Sequence, residues 1–164
     1  MLKSQDIVIA LYLANEHNSG SSVREISSRL EISIGEISNS LKRLVASKLL
    51  DASSRKILKA NLMEFLVHGL QYVFPPEKMA PGKGLPTAWG HEVFSEISAN
   101  EIPVLQHIDG KAYGPAIKPF YKNMANALLR DKELYMWVAV VDALRMGRSR
   151  EKKIAKEKLK ELLG

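Results

Sequence analysis

Two serine-initiated capping boxes lie close together in the first third of the chain, and they constrain the fold more than any other feature. The first reads SVRE from Ser22 and the second reads SIGE from Ser33. In a capping box the serine oxygen accepts the backbone amide three residues on, while the glutamate reaches back to the serine amide. Each box therefore predicts the start of a helix.

The turn between these two helices is short, because only residues 31–33 separate Leu30 from the second helix. So short a turn makes the helices cross steeply, which is typical of a helix-turn-helix. The second helix is predicted over residues 33–47, and another amphipathic helix is predicted over residues 5–17. The side chains that the spacing turns inward on the second helix are Ile34, Ile37, Leu41 and Leu44.

Residues 49–60 read as strand, polar turn and strand, which predicts a small two-stranded wing after the second helix. Asn61 follows and is predicted to cap a short helix that ends at Leu70.

The segment SVREISSRLEIS from residue 22, ISNSLKRLV from residue 37 and KLL from residue 48 together resemble the winged helix-turn-helix of MarR-like bacterial regulators. The likeness covers about the first 70 residues. It implies a DNA-binding transcriptional regulator whose recognition helix spans residues 33–47 and whose partner is double-stranded DNA.

The outward face of the predicted recognition helix carries small and polar residues. Asn39 can pair with adenine through two hydrogen bonds, and Ser38 can donate to a base or a phosphate. Lys42 and Arg43 suit phosphate or guanine, while Gly35 permits a close approach of the backbone to DNA.

Four further residues complete the predicted interface. Ser22 and Ser33 begin the two helices, and Arg55 and Lys56 lie between the wing strands, where they suit the minor groove or the phosphate backbone. Glu36 fits less well, because its carboxylate repels phosphate unless it serves the capping box or reads a cytosine amino group.

The rest of the chain is predicted to be helical around an irregular segment. Residues 75–115 hold six of the seven prolines but also many large apolar side chains, so we expect an ordered Pro/Gly-rich loop with a short helix near residues 91–98. Helices are predicted over residues 115–129, 132–146 and 149–163, with Asp131 capping the second of them. The fold class is therefore mainly α with a small β-wing.

We divide the chain into a DNA-binding domain, residues 1–72, and a helical dimerisation or partner-binding region, residues 73–164. The stretch from Leu134 to Arg145 is apolar nearly all round and must be buried, either in the core or in a subunit interface. An interface would suit the homodimer that a two-fold operator requires. Within this stretch Asp142 and Arg145 can pair in the same helix or across subunits.

Composition excludes several classes of function. The chain has no cysteine, which excludes disulfides, thiolate metal sites and cysteine nucleophiles and suits the reducing cytoplasm. A formal charge of +6 favours a polyanionic partner. The longest uncharged apolar run, residues 134–141, is too short to cross a bilayer, so no membrane is expected.

No pattern of catalytic or cofactor-binding residues stands out. The Gly-Lys-Gly at residues 82–84 lacks the spacing of a phosphate-binding loop, and the four histidines are scattered without metal-ligand spacing. We therefore expect no catalytic residues, no metal and no cofactor. An enzyme with its site in residues 75–115 is the least favoured reading.

A second reading makes the chain a protein-interaction module. A winged helix with a separate partner-binding region is also the organisation of an antitoxin that binds DNA at one end and its toxin at the other. In that reading residues 73–164 would bind a protein partner.

Overall fold

The computed structural model describes residues 1–164 and contains eight α-helices and a three-stranded sheet. At this level it is mainly α with a small sheet, as predicted. The helices are α1 Ser4–Ala14, α2 Val23–Leu30, α3 Ile34–Ala46, α4 Lys59–His68, α5 Leu70–Val73, α6 Met124–Arg130, α7 Lys132–Met146 and α8 Ser149–Leu163. The strands are β1 Lys78–Pro86, β2 Val104–Gln106 and β3 Ala112–Ile117. None of the helices combines the length and apolar character needed to cross a membrane.

Helix α1 is the central helix of the molecule. Every residue from Asp6 to Ala14 is buried, because α1 packs against α3 on one side and α7 on the other. The predicted amphipathic helix over residues 5–17 ends earlier than expected. Asn15 takes an extended conformation, and its side chain accepts the His17 amide at 3.1 Å to begin a short 3-10 turn.

The serine half of each predicted capping box is present, but neither glutamate accepts the serine amide in return. The Ser22 hydroxyl oxygen accepts the Glu25 amide at 3.1 Å, and the Ser33 hydroxyl oxygen accepts the Glu36 amide at 3.3 Å. Helix α2 ends at Leu30, and the next residue, Glu31, takes a left-handed conformation with φ of 57°. That residue reverses the chain and leads within three residues into α3.

The segment predicted as a wing is smaller than expected. One antiparallel bridge joins Leu50 to Ile57, and the Asp51 amide donates to the Lys56 carbonyl at 2.9 Å. The predicted second strand is too long, because Lys59 already begins α4. Asn61 therefore lies inside α4 and does not cap it.

Residues 75–115 contain β1, β2 and most of β3, which corrects the prediction of an irregular loop over the whole segment; residues 87–103 have no strand. Strand β1 pairs antiparallel with both β2 and β3, and these two meet in parallel at Val104 and Ala116. The close approach depends on glycine: a Cβ on Gly84 would lie 2.1 Å from the Leu105 carbonyl oxygen. The short helix expected near residues 91–98 is only a 3-10 turn, Glu92–Phe94.

The helix predicted over residues 115–129 is also wrong in its first half. Residues 112–117 belong to β3, and α6 begins only at Met124. The apolar spacing that predicted a helix instead reflects burial in the strand and in the following turn, where Ile117 and Phe120 are both in the core.

One continuous core joins the two parts of the chain. Its 38 buried residues run from Ile7 on α1 to Leu163 on α8, so the division at residue 72 does not separate two cores. The apolar stretch of α7 is buried within this core, and Asp131 caps α7 by accepting the Leu134 amide at 3.0 Å, as predicted. Because the single chain already covers the stretch of α7 from Trp137 to Arg145, that stretch offers no surface for a dimer.

Candidate nucleic-acid interface

Helix α3 is held against α1 by a buried ion pair. The Arg43 guanidinium places Nε 2.8 Å from Oδ2 of Asp6 and Nη2 2.9 Å from Oδ1. Asp6 is fully buried and the Arg43 side chain is only 17% exposed. The prediction that Arg43 faces outward is therefore wrong: this hydrogen bonding raises the pKa of Arg43 and directs the guanidinium inward.

A second set of polar contacts supports the same face of α3. Gln5 on α1 donates through Nε2 to Glu36 Oε2 at 2.9 Å and to the Ser40 hydroxyl oxygen at 3.1 Å. Ser40 is fully buried and also accepts Arg43 Nη2 at 3.0 Å. The Glu36 carboxylate, which fitted a DNA interface poorly, is thus used inside the chain.

The opposite face of α3 is open to solvent. Gly35, Asn39 and Lys42 are exposed, and Ser38 is half-buried. A Cβ on Gly35 would meet no atom within 4 Å, so the backbone is bare at that point. Ile34, the first residue of α3, does not face the core as predicted but is 51% exposed.

The hairpin after α3 presents two exposed cations. Arg55 takes a left-handed conformation with φ of 57° at the turn, and Lys56 follows it. The Asp51 carboxylate accepts the Ser54 amide and hydroxyl, both at 2.8 Å, and these hydrogen bonds lower the pKa of Asp51. The turn is therefore ordered by its own side chains.

A groove of about 290 Å³ runs between α3 and the hairpin. Its lining residues are Leu41, Lys42, Val45, Leu50, Ala52 and Arg55. The groove brings Lys42 of the helix and Arg55 of the hairpin to one surface, although the two residues are distant in the sequence.

The remaining predicted residues and one unpredicted residue lie at the helix ends. Ser22 and Ser33 are exposed, and although their oxygens accept the capping amides, each hydroxyl keeps a hydrogen that can be donated. Lys48, which the sequence reading missed, is exposed in a left-handed conformation after α3, and Asn61 donates to its carbonyl at 2.8 Å. The sequence feature that could have identified Lys48 is its position as a basic residue between the predicted recognition helix and the wing.

The second part of the chain supports the turn between α2 and α3. The Tyr121 hydroxyl donates to the Leu30 carbonyl at 2.8 Å, and burial raises the pKa of Tyr121 well above its usual value. Asn123 donates to the Glu31 carbonyl at 3.3 Å, and Arg130 lies 3.0 Å from the Glu31 carboxylate. These contacts anchor the end of α2 and the turn that precedes α3.

The chain brings together no group of three or more His, Asp or Glu side chains that could hold a metal ion. No family model matches the chain, and no curated protein or solved structure matches it.

Proposed function

We propose that this chain binds duplex DNA and regulates transcription, with α1, α2, α3 and the hairpin acting as a winged helix-turn-helix. In this proposal α3 enters the major groove and its exposed residues meet base edges. The hairpin contacts the adjacent backbone or minor groove.

The observation that carries the proposal is the groove shared by α3 and the hairpin. It places Lys42 and Arg55 on one surface, while Asn39 lies exposed on the same helix. Lys42 on the helix and Arg55 on the hairpin can each bind a DNA phosphate. The exposed Asn39 side chain can form hydrogen bonds with the edge of an adenine.

The fixed orientation of α3 supports the same function. A helix that reads base edges must present one face reproducibly, and here the other face is held by the Arg43–Asp6 pair and by Gln5. The side chains available to DNA are therefore those of one defined face. Lys56 follows Arg55 in the hairpin and is also exposed, so it adds positive charge there.

We further propose a homodimer, because two-fold operators are bound by two-fold proteins. The stretch of α7 from Trp137 to Arg145 cannot supply its interface, since the core of the single chain covers it. Light scattering of the free chain and of its complex with a selected duplex measures the stoichiometry. Two chains per duplex support this assembly, and one chain per duplex contradicts it.

The experiment that tests DNA binding begins with selection of bound sites from random duplexes. Fluorescence anisotropy then measures the Kd of the selected duplex as a function of salt. Each of Lys42→Met and Arg55→Met should weaken binding and reduce the salt slope by about one, the value for one lost phosphate contact. Lys111→Met, an exposed lysine before β3, is the matched control.

Two outcomes contradict the proposal. One is that no duplex is enriched or bound at low salt. The other is that Lys42→Met and Arg55→Met leave both the Kd and the salt slope equal to those of Lys111→Met.

A further inference from the structure

The positive charge of the chain is concentrated in its last helix. Residues 148–164 contain seven lysine and arginine residues and three glutamates, so they carry +4 of the formal charge of +6. Residues 1–147, which include the surface of α3 and the hairpin, have seventeen cations against fifteen carboxylates and carry only +2. The attraction of this chain for polyanions is therefore expected to be strongest around α8.

Three lysines form one exposed stripe along α8. Lys153, Lys156 and Lys160 are all exposed, and their spacing of three and four residues places them on one side of the helix. None of these side chains takes part in an ion pair. By contrast, the two half-buried lysines of the helix both donate to side chains of the same chain. The charge of this lysine stripe is thus left for a partner.

The other side of α8 is fixed in the core, where Ala155, Leu159 and Leu163 are buried, and no large apolar side chain of the helix is exposed. A helix that lies on a membrane needs a free apolar face. The centre of a protein–protein interface is apolar and poor in lysine. The exposed side of α8 meets neither requirement, whereas surfaces that bind DNA are polar and strongly positive.

The length of the lysine stripe matches the charge spacing of duplex DNA. From Lys153 to Lys160 the helix rises about 10 Å, at about 1.5 Å per residue. Over that distance along its axis one strand presents about three phosphates, because its charges are about 3.4 Å apart. One lysine is therefore available for each phosphate, and the flexible lysine side chains can follow the path of the strand.

We infer that the lysine stripe of α8 binds the phosphate backbone of duplex DNA without regard to its sequence. This is a second DNA-binding surface, and none of its residues belongs to α3 or the hairpin. The inference does not rest on α3 as a recognition helix, since a chain that selects no operator would still bind DNA through α8. Phosphate contacts of this kind supply affinity for any duplex and no discrimination between sequences.

Two glutamates border the lysine stripe and should oppose binding. Glu157 and Glu161 are exposed, and at about 100° per residue they lie about 40° and 80° from Lys153, on the side away from Lys156. Their carboxylates would repel the phosphates that the lysines bind. The double variant Glu157→Gln with Glu161→Gln should therefore lower the Kd.

Fluorescence anisotropy of the full chain with a mixed-sequence duplex, measured as a function of salt, tests this surface. The triple variant Lys153→Gln, Lys156→Gln and Lys160→Gln should reduce the salt slope by up to about 2.7, or about 0.9 for each lost phosphate contact. Its Kd at low salt should rise about tenfold or more. Glutamine is a good helix former, so α8 should stay folded, which circular dichroism checks.

The matched control is a second triple variant, Lys83→Gln, Lys111→Gln and Lys122→Gln. It changes the net charge by the same amount at exposed positions outside α8 and should have a much smaller effect on the Kd and the salt slope. Replacement of the three stripe lysines by arginine keeps the charge and should retain binding.

Equal Kd values and salt slopes for the two glutamine variants would overturn the inference, because net charge and not the lysine stripe would then set the affinity. Stripe-dependent binding to vesicles that contain phosphatidylserine, without stripe-dependent binding to the duplex, would also overturn it.

The variants Lys42→Met and Arg55→Met in the same assay separate α8 from the surface of α3. If they abolish binding to the mixed-sequence duplex and the stripe variant does not, α8 takes no part. A selection experiment that enriches no sequence contradicts the proposal for α3 alone, because the test of α8 uses no selected site.

Discussion

Arg43 of α3 and Asp6 of α1 form a two-point ion pair, with Nε and Nη2 at 2.8 and 2.9 Å from the two carboxylate oxygens. Because Asp6 is fully buried, Arg43→Ala would leave its charge without a cation. We expect a loss of about 3 kcal/mol in the free energy of unfolding, the lower end for breaking a buried pair. Urea denaturation measures it.

The control is Lys42→Ala on the same helix, where the exposed side chain should cost no more than about 0.5 kcal/mol. The double variant Asp6→Ala with Arg43→Ala should recover part of the loss, because no buried charge remains. Equal losses for Arg43→Ala and Lys42→Ala would show that the pair contributes nothing. Arg43 therefore orients α3 against α1 and does not itself contact DNA.

Substitution of Gly35 should change the stability of the chain and its affinity for DNA in opposite directions. It lies within α3, and a Cβ there meets no atom of the chain. Gly35→Ala should therefore raise the free energy of unfolding by up to about 0.5 kcal/mol, less than in a helix interior because Gly35 lies in the first turn of α3. If the backbone approaches DNA at this point, the same change should weaken duplex binding. A stabilised variant with unchanged Kd would exclude that close approach.

Asn39 is the residue of α3 that we expect to read sequence. Asn39→Ala should reduce discrimination against a changed adenine in the selected duplex by about 1 to 3 kcal/mol. Binding to unrelated duplexes should hardly change. Anisotropy with a set of single-base variants measures this, and Asn100→Ala in an exposed loop is the control. An unaltered discrimination profile would remove Asn39 from the interface.

The elements that sequence reasoning predicted best are those fixed by local contacts. Ser22 and Ser33 cap their helices through amides three residues away, and Asp131 does the same for α7. Such signals lie within one turn of chain and are readable without knowledge of the fold. For the same reason, the spacing of apolar residues correctly predicted which side chains of α3 face the core at most positions.

The errors arose where a residue's partner is distant in the sequence. Arg43 looked like an outward cation because Asp6, its partner, lies on another helix. The sheet was missed because β1 pairs with strands about 20 and 35 residues further on, and its glycines and prolines resemble loop residues. Gly84 is there for the close approach of β2, which only the assembled sheet reveals.

His91 should make the stability of the chain depend on pH. Its Nδ1 accepts the Val93 amide at 3.0 Å, and its ring lies edge-on to Tyr135 at 4.6 Å. Burial lowers the pKa of His91 below 6.5, against a smaller opposite effect of Glu92. The folded chain therefore takes up this proton at lower pH than the unfolded chain does.

Stability should thus be complete above pH 6.5 and fall as the pH decreases below it, with a slope of at most about 1.4 kcal/mol per pH unit for one proton. His91→Asn keeps an acceptor for the Val93 amide but cannot titrate, so it should flatten this part of the profile. His17→Asn, at an exposed position, should leave the profile as it is. Urea denaturation between pH 5 and 8 measures the free energy of unfolding of all three chains. If the His91→Asn profile is as steep as that of the unaltered chain, His91 is not the group that titrates.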